Sequence, residues 1–362
     1  KSGVFQYVAI WSAKKVRARP WPLLMMLATV TALFSALLDN VTTVLLVAPV
    51  VLLITDALKL SPYPYLFSII FASNIGGTAT LIGDPPNIMI GSAANLTFND
   101  FVAHLTPIVI VVFVLTLIPL YFSWGRKLRA SDEDRAQVLA FNEIEAITDW
   151  RLLKQALTVI ALVIVGFVFA HPLKLEPATI AMFGAAALLL LRALGKDAET
   201  QSHETHKTFA EVEWVTIFFF IGLFIVVAGI EKAGALKWLA DEIVDVTGGN
   251  FKATAMVILW VSAVLSAVVD NIPFVATMIP VIQNMAGSFG ADHLMPLWWS
   301  LALGACLGGN GTLVGASANL VVAGFAERAG QPIRFVPFLL MAFPLMLLSV
   351  AVSAVYLYVR YL

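Results

Sequence analysis

Long apolar runs alternate with short polar segments along the chain, and two of these runs contain an aspartate–asparagine pair. The runs at 101–124, 155–170, 177–194 and 214–230 are nearly uninterrupted, and several approach the roughly 20 residues of a membrane-spanning helix. The pairs lie in LLDNVTTVLLVAPVV (37–51) and LSAVVDNIPFVATMIPVI (265–282). Since an uncompensated charge in such a run costs several kcal/mol, both pairs are expected to be functional.

The two pairs belong to an internal repeat. NIGGTATLIGDPPNIMI (74–90) matches CLGGNGTLVGASANLVV (306–322) at an offset of 232, and the pairs themselves match at 231. This collinear series predicts a duplicated chain, as in many transporters. The runs at 150–170, 177–194 and 210–231 have no counterpart in the first half. We therefore expect the natural protein to have about three further N-terminal helices; the alternative is an asymmetric protein.

Basic residues predict the orientation, because they are concentrated in cytoplasmic loops. AKKVRARP precedes the first pair and GRKLR follows the run that ends near 124, whereas the equivalent of AKKVRARP in the second half, VDVTGGNFKA, has one lysine. We therefore predict inverted topology for the two halves. The predicted organisation is a first repeat at 1–124 (N-terminally incomplete), a cytoplasmic linker at 125–149 and a second repeat at 150–362.

Each aspartate–asparagine pair is predicted to lie at the tip of a helical hairpin. The arms of the first hairpin, 22–39 and 41–56, are marginal in length for a crossing. They form either two bent full spans or a re-entrant hairpin, and inverted topology favours the hairpin. Non-helical backbone at membrane depth persists only where protein or a wet cavity surrounds it, so the tip is predicted to be a site.

The glycine-rich segments are predicted to be helices broken inside the membrane. Gly76 and Gly77 permit unusual backbone angles, and Pro85 and Pro86 are expected to end the preceding helix. The break is placed at 78–84, with a similar one in the second half. Helix ends and free carbonyls form ion sites in membrane proteins. Tight helix packing is the alternative role for these glycines and for Gly308 and Gly309.

Each tip is expected to meet the break of its own half, which gives two related polar clusters. The first cluster is Asp39, Asn40, Thr42, Thr43, Thr78, Thr80, Asp84 and Asn87, and the second cluster is Asp270, Asn271, Asn310, Thr312, Ser317 and Asn319. Oxygen ligands suit a hard cation such as sodium, for which the proposed ligands are Asp39, Asn40, Asp84, Asp270 and Asn271. Alternatively, Thr43 and Thr80 bond to backbone carbonyl groups of their own helices. A separate alternative is that the tip aspartates form buried pairs with lysine or arginine.

Other polar residues have simpler interpretations. Asp100 in TFNDF is a helix-start signal, His104 is an interfacial or packing residue with a proton relay as the alternative, and Cys306 is a small packing residue. His203 and His206 lie in a charged segment, 195–213, that is read as a solvated loop.

Composition supports an all-α integral membrane protein. The chain is 60% hydrophobic and only 12% charged, against about 25% in soluble domains, and its mean hydropathy is +0.90. The net charge of −1 does not indicate a partner, but the sequence offers no dense basic surface for nucleic acid, so the expected partners are membrane lipid and a small ion. One cysteine excludes an internal disulfide. No cofactor is expected beyond bound sodium, and a bacterial inner membrane is the expected location.

The paired motifs resemble those of the ion transporter superfamily. DNVTTVLLVAPV with NIGGTATLIGDPPN, and DNIPFVATMIP with LGGNGTLVGASAN, are similar to the P-protein-like permeases. This branch is grouped with the melanosomal P protein, arsenite permeases and NhaD-type antiporters, and distantly with sodium-coupled dicarboxylate transporters.

The resemblance implies inverted repeats, two re-entrant hairpins, a homodimer and elevator-type alternating access. It also implies ion or substrate contacts at eleven positions: Asp39, Asn40, Thr42, Gly77, Asp84, Asn87, Asp270, Asn271, Gly309, Thr312 and Asn319. The dicarboxylate relatives carry serine where this chain has the tip aspartates, and an added negative charge repels a dicarboxylate. Arsenite is disfavoured because Cys306 is the one thiol.

Sodium/proton antiport is therefore the expected function, and an anion transporter or channel is the alternative. An intramembrane aspartyl protease would pair Asp39 with Asp84. The chain lacks the first glycine of that class's Gly-x-Gly-Asp motif, reading Leu81-Ile82-Gly83-Asp84, and Asp270 has no role in a protease. An enzyme is therefore not expected.

Overall fold

The computed structural model describes residues 2–362, all of whose regular structure is helical. Eight helices are long and apolar enough to cross a membrane, and a ninth apolar helix, Pro177–Ala193, is slightly shorter. The prediction of an all-α integral membrane protein is therefore confirmed.

Residues 2–125 include seven α-helices and a π-helical turn at Tyr121–Gly125. The helices are α1 (Val4–Lys15), α2 (Pro20–Leu37), α3 (Asn40–Ala57), α4 (Tyr63–Gly77), α5 (Pro85–Ala94), α6 (Phe98–His104) and α7 (Thr106–Leu120). We call residues 78–84, between α4 and α5, the first break. We call Asp39 and Asn40, between α2 and α3, the first tip.

The middle of the chain begins with the predicted linker and continues with apolar helices. Its elements are α8 (Asp132–Leu139), a 3-10 turn at Ile144–Ala146, α9 (Trp150–Val168), α10 (Ala170–Leu173), α11 (Pro177–Ala193), α12 (Ala198–Ala210) and α13 (Trp214–Lys232). Segment 195–213, predicted to be a loop, is thus largely the exposed helix α12. Asp197 begins this helix by accepting a hydrogen bond from the backbone N–H of Thr200, a cap that sequence analysis overlooked.

The last third repeats the order of the first. Its elements are α14 (Ala235–Val246), α15 (Phe251–Val268), α16 (Asn271–Asn284), α17 (Ala286–Phe289), a 3-10 turn at Ala291–His293, α18 (Met295–Gly308), a 3-10 turn at Gly309–Gly311, α19 (Ser317–Arg328) and α20 (Phe335–Tyr361). We call residues 309–316, between α18 and α19, the second break, and Asp270 and Asn271 the second tip. The first residues of α2 and α15 are 231 positions apart, and so are their last residues. This separation is the offset found in the sequence.

The tip aspartates begin the second arm of each hairpin. The Asp39 carboxylate accepts from the backbone N–H of Thr42 at 2.8 Å, and that of Asp270 accepts from Ile272 at 3.0 Å. Both are N-caps, which satisfy helix amides that have no partner within the helix. A local structural role thus accompanies any role in ion binding.

Glycine packs the first arm of each hairpin closely against a broken helix. A Cβ atom on Gly76 of α4 would lie 2.2 Å from the carbonyl oxygen of Ala32 in α2. A Cβ atom on Gly308 would lie 2.5 Å from the carbonyl oxygen of Ala263 in α15. Tight packing therefore explains the first glycine of each pair, as the alternative interpretation held.

Pro85 and Pro86 have a different position from the one predicted. The preceding helix ends at Gly77, and the two prolines occupy the first turn of α5. Proline is compatible with this turn because the first helical amides have no partner within the helix. The predicted limits of the break, 78–84, are nevertheless those observed.

Contacts of aromatic side chains show which helix ends are close to each other. At one end of the molecule, Trp21 near the start of α2 packs against Tyr121 after α7. At the opposite end of α7, His104 hydrogen-bonds to Tyr361 at the end of α20. Lys252, at the start of α15, lies over the ring of Tyr358 in the same part of α20.

The start of α20 is close to the end of α7. Phe67, near the start of α4, packs against both Trp124 and Phe338. The two helices α7 and α20 therefore run in opposite directions.

The linker is bound to both ends of the first hairpin. Arg135 of α8 donates from Nε to the carbonyl oxygen of Arg17, just before α2, at 3.2 Å. Lys59, just after α3, forms an ion pair of 2.7 Å with Asp134, and this hydrogen bond lowers the pKa of the Asp134 carboxyl. Helix α8 thus holds the base of the hairpin.

Candidate functional site

The first tip contacts the first break. Asn40 is 2% exposed, and its backbone N–H donates to the carbonyl oxygen of Gly83 at 3.1 Å. Thr80 of the break donates from its hydroxyl to the carbonyl oxygen of Ala36 at 2.6 Å. The predicted meeting of tip and break is therefore confirmed in the first half. Thr80 bonds to the hairpin rather than to its own helix, so that alternative is wrong.

The second half repeats both contacts. The backbone N–H of Asn271, also 2% exposed, donates to the carbonyl oxygen of Gly315 at 3.3 Å. The Thr312 hydroxyl donates to the carbonyl oxygen of Ala267 at 2.5 Å. The predicted contact is therefore also confirmed here.

In each half, one buried asparagine side chain donates hydrogen bonds to backbone carbonyl oxygens of the break. Asn87 in α5 donates from Nδ2 to the carbonyl oxygens of Thr80 at 2.9 Å and Thr78 at 3.2 Å, with a longer contact to Gly77 at 3.4 Å. Asn319 in α19 donates to those of Gly309 and Thr312, both at 2.8 Å. Each break is thus a tight turn whose carbonyl oxygens are held together, which is the kind of backbone that binds cations in transporters.

A further buried asparagine, Asn74, connects the halves and was not among the predicted site residues. It is fully buried near the end of α4. Its side chain contacts Asn40 of the first tip and also Asn310 and Asn319 of the second half. The available signal was a carboxamide inside the apolar run that leads to Gly76, since such a group needs buried partners.

Asp84 is a fully buried carboxylate between α4 and α5. Its side chain accepts two long contacts, of 3.3 and 3.5 Å, from Nδ2 of Asn271 in the opposite half. Among the described ion pairs, none includes Asp84, Asp39 or Asp270. The alternative that the tip aspartates pair with basic residues is therefore wrong. A carboxylate buried this deeply needs either a cation or a proton to balance its charge.

The remaining predicted residues are divided between buried and accessible positions. Thr43 is buried and its hydroxyl has no hydrogen-bond partner, so it does not bond to its own helix. Thr42 is exposed on the first turn of α3 and lies outside the buried group. Asp270 and Ser317 are half-buried and bond to each other, Ser317 Oγ donating to Asp270 Oδ2 at 2.8 Å.

Cys306 is fully buried, as expected for a packing residue, and it also adjoins the buried group of Asn40, Asn74, Asp84, Asn87, Asn271, Asn310 and Asn319, which we call the polar centre. Its thiol donates to Oδ1 of Asn87 at 3.4 Å. His104, by contrast, stacks on Trp299 and bonds to Tyr361 at the chain's C-terminal end, as expected for an interfacial or packing residue. Asp100 forms the predicted helix start, in a capping box with Thr97.

The predicted sodium ligands do not converge on one point. Asp84 and Asn271 are in contact, Asn40 contacts Asn74, and Asp39 caps its own helix. Across residues 2–362, no three His, Cys, Asp or Glu side chains are grouped closely enough to hold a metal ion. Any sodium ligands must therefore include carboxamides, hydroxyls and the carbonyl groups of the breaks.

Comparisons with known proteins identify relatives along the whole chain. A family model described as citrate transporter (CitMHS) matches residues 1–304. An uncharacterized transporter of Mycobacterium tuberculosis is 45% identical over 363 residues, covering 100% of this chain and 82% of that protein. A 46 kDa membrane protein of Mycobacterium leprae is also 45% identical, with the same coverage.

Human P protein is 33% identical over 439 aligned residues, and this chain spans about half (51%) of its length. The match with P protein agrees with the branch indicated by the tip and break motifs. The chain therefore belongs to the citrate transporter family of the ion transporter superfamily, in which P protein is one of its relatives.

Proposed function

We propose that the protein is a secondary active transporter that exchanges sodium for protons across a bacterial plasma membrane. The observation that carries this proposal is Asp84, a fully buried carboxylate with one amide partner and no basic partner among the described ion pairs. Sodium and a proton each neutralise such a group, and they exclude each other from the same oxygens. Mutually exclusive binding is the physical basis of exchange.

The surroundings of Asp84 suit a small cation. Asn271 donates from Nδ2 to Asp84, so the oxygen ligands beside Asp84 are its own carboxylate and the carbonyl oxygens of the first break, which hydrogen bonds from Asn87 hold together. Sodium prefers neutral and anionic oxygen ligands such as these. Asp39 and Asp270 add negative charge at the tips, which favours a cation over an anion.

The helix lengths support a re-entrant first hairpin. Helices α4 and α5 have 15 and 10 residues, so together they span roughly 38 Å at 1.5 Å per residue, enough to cross the membrane. The first tip meets the break between them, which supports a position part of the way across. Helices α2 and α3 therefore enter and leave on the side of the linker.

The helix directions support inverted repeats. Helix α2 begins beside the end of α7, whereas its equivalent α15 begins beside the end of α20. Since α7 and α20 run in opposite directions, α2 and α15 do so as well. We also propose alternating access by an elevator movement in a homodimer. Lipid or a second copy of the chain then covers exposed apolar helices such as α13.

Inverted topology predicts opposite accessibility for two exposed positions. Glu133 lies on linker helix α8, and Lys252 lies at the start of α15. We expect cysteines introduced at these positions, in a Cys306→Ser background, to react with a membrane-impermeant thiol reagent from opposite sides. Glu133→Cys and Lys252→Cys are made in separate proteins, and the Cys306→Ser protein without either change is the control. Reaction of both cysteines from the same side would exclude the inverted arrangement.

Exchange is tested in proteoliposomes that contain a pH-sensitive dye. An inward sodium gradient is expected to raise the internal pH, whereas an equal choline gradient has no effect. The change in internal pH should require the sodium gradient and should be absent from protein-free liposomes. If sodium causes no pH change while citrate is taken up, antiport is ruled out in favour of the alternative.

The alternative is coupled transport of an anion, including an organic acid. It is favoured by the name of the matching family and by the Nδ2 of Asn310, a buried amide donor with no acceptor. Such a donor fits an oxyanion. Against it, the Asp84 carboxylate in the same polar centre repels a polyanion unless bound cations neutralise it.

A further inference from the structure

The Asn74 carboxamide joins the tip of one half to the break of the other. Its Oδ1 accepts from Nδ2 of Asn40 at 3.1 Å. Its Nδ2 donates to Oδ1 of Asn319 at 2.9 Å and to Oδ1 of Asn310 at 3.0 Å. These side chains are at most 2% exposed, so water does not replace the bonds.

The surrounding network fixes the orientation of this carboxamide. Asn40 uses its own Oδ1 to accept from the backbone N–H of Val41, so it offers only Nδ2 to Asn74. Asn319 uses Nδ2 to donate to two carbonyl groups of the second break, so it offers only Oδ1. Asn74 satisfies both neighbours in one orientation, with its oxygen toward the first tip and its nitrogen toward the second break.

The second half has no equivalent of this bridge. Cys306 occupies the position that matches Asn74 at the offset of 232, and its thiol bonds to Asn87 of α5 in the first half. The second tip instead contacts the first break directly, through Asn271 and Asp84. Each tip is thus connected to the opposite half, but only the first connection passes through an intervening side chain.

We propose that Asn74 is a positioning residue that couples the two polar clusters. By holding Asn40 and Asn319 in one hydrogen-bonded chain, it transmits a change at the first tip to the carbonyl groups of the second break. A cation bound in one half then alters affinity in the other, because hydrogen bonds in a buried chain strengthen one another and coupling is reciprocal. This inference rests on the proposed cation transport.

Replacing Asn74 by cysteine tests the bridge with the residue that the second half uses at this position. Cysteine is shorter and offers one weak donor, so the bonds to Asn310, Asn319 and Asn40 are lost. We expect wild-type protein to respond to sodium with a curve steeper than that of a single site. In Asn74→Cys the half-saturating sodium concentration should rise about tenfold or more, with a Hill coefficient of about one.

Ser73→Ala is the matched control. Ser73 is the neighbouring buried polar residue of α4, and its hydroxyl bonds to Ile70 within the same helix. Its loss should leave both the sodium affinity and the steepness unchanged. The measurement is the apparent unfolding temperature of the full chain in detergent during titration with sodium chloride, at constant ionic strength with choline chloride.

Asn74→Asp separates positioning from packing, because aspartate has nearly the same shape. An ionised carboxylate donates to neither Asn310 nor Asn319, whereas a protonated carboxyl donates one hydrogen bond. The introduced charge itself attracts sodium, so the steepness of the sodium curve is the readout, and its Hill coefficient should rise toward the wild-type value on acidification. A role in filling space alone produces no such recovery.

The outcomes separate this inference from the proposed function. If wild-type protein shows no stabilisation specific to sodium, the proposed cation transport is wrong. If wild-type protein responds steeply and Asn74→Cys keeps the same curve, the coupling role of Asn74 is wrong. If Asn74→Cys does not fold, the acid recovery of Asn74→Asp decides, and its absence overturns the coupling role.

Discussion

Asp84→Asn is expected to lower sodium affinity about a hundredfold or more and to flatten the pH dependence of exchange. The reason is that removing one partner of a buried charge pair costs about 3 kcal/mol or more. Asparagine keeps the shape and an acceptor for Asn271, but it holds neither a compensating charge for sodium nor a titratable proton. The measurement is sodium-driven pH change in proteoliposomes between about pH 6 and 9.

Asp56→Asn is the control for this substitution. Asp56 is an exposed carboxylate near the end of α3, so the same change of charge there should leave affinity and pH profile as in wild type. If Asp84→Asn keeps wild-type behaviour, then the Asp84 carboxylate has a structural role only. The antiport proposal would then lose its main support to anion transport.

Gly76→Ala is expected to destabilise the protein by roughly 3 kcal/mol or more and to lower its apparent unfolding temperature by about 5 to 10 °C. A Cβ atom at this position lies 2.2 Å from the carbonyl oxygen and 2.6 Å from the Cα atom of Ala32. Both are backbone atoms, so no side chain can rotate away and α2 itself must move. Because α2 carries the first tip, transport should be lost as well.

Gly324→Ala is the matched control for helix propensity. Gly324 lies within α19 with no atom within 4 Å of a Cβ placed there, so alanine should stabilise that helix by about 0.5–1 kcal/mol. Thermal unfolding in detergent, followed by tryptophan fluorescence, measures both variants. Equal unfolding temperatures for Gly76→Ala and Gly324→Ala would contradict the close packing of α2 on α4.

The helices and their interruptions were predictable from the sequence because local properties determine them. Apolar runs predicted the spans, and polar residues, glycine and proline predicted the limits of the first break at 78–84. The offset between repeated motifs predicted that each tip meets its break, since related sequences are expected to fold alike. The α12 segment resembles a loop in sequence because a charged surface helix lacks a wide apolar face, although Asp197 provides its cap.

The contacts between the halves were not predictable in the same way. Asn74 lies outside the break, and its partners Asn310 and Asn319 are 236 and 245 residues away. Only the mutual placement of the halves shows that Asn74 contacts them. Repeat symmetry also misleads here, because the equivalent residue, Cys306, has a different partner. Similarly, nothing local indicates that Thr42 is exposed while the adjacent Thr43 is buried.

The shared polar centre has a consequence for biosynthesis. Asp84 and Asn74 enter the membrane early, but their partners Asn271, Asn310 and Asn319 are synthesised about 190 to 245 residues later. Until then the first half carries a buried carboxylate and an amide without their final hydrogen bonds, which lipid does not replace. The hydrogen bonds of the polar centre can therefore be completed only after the second half has been synthesised.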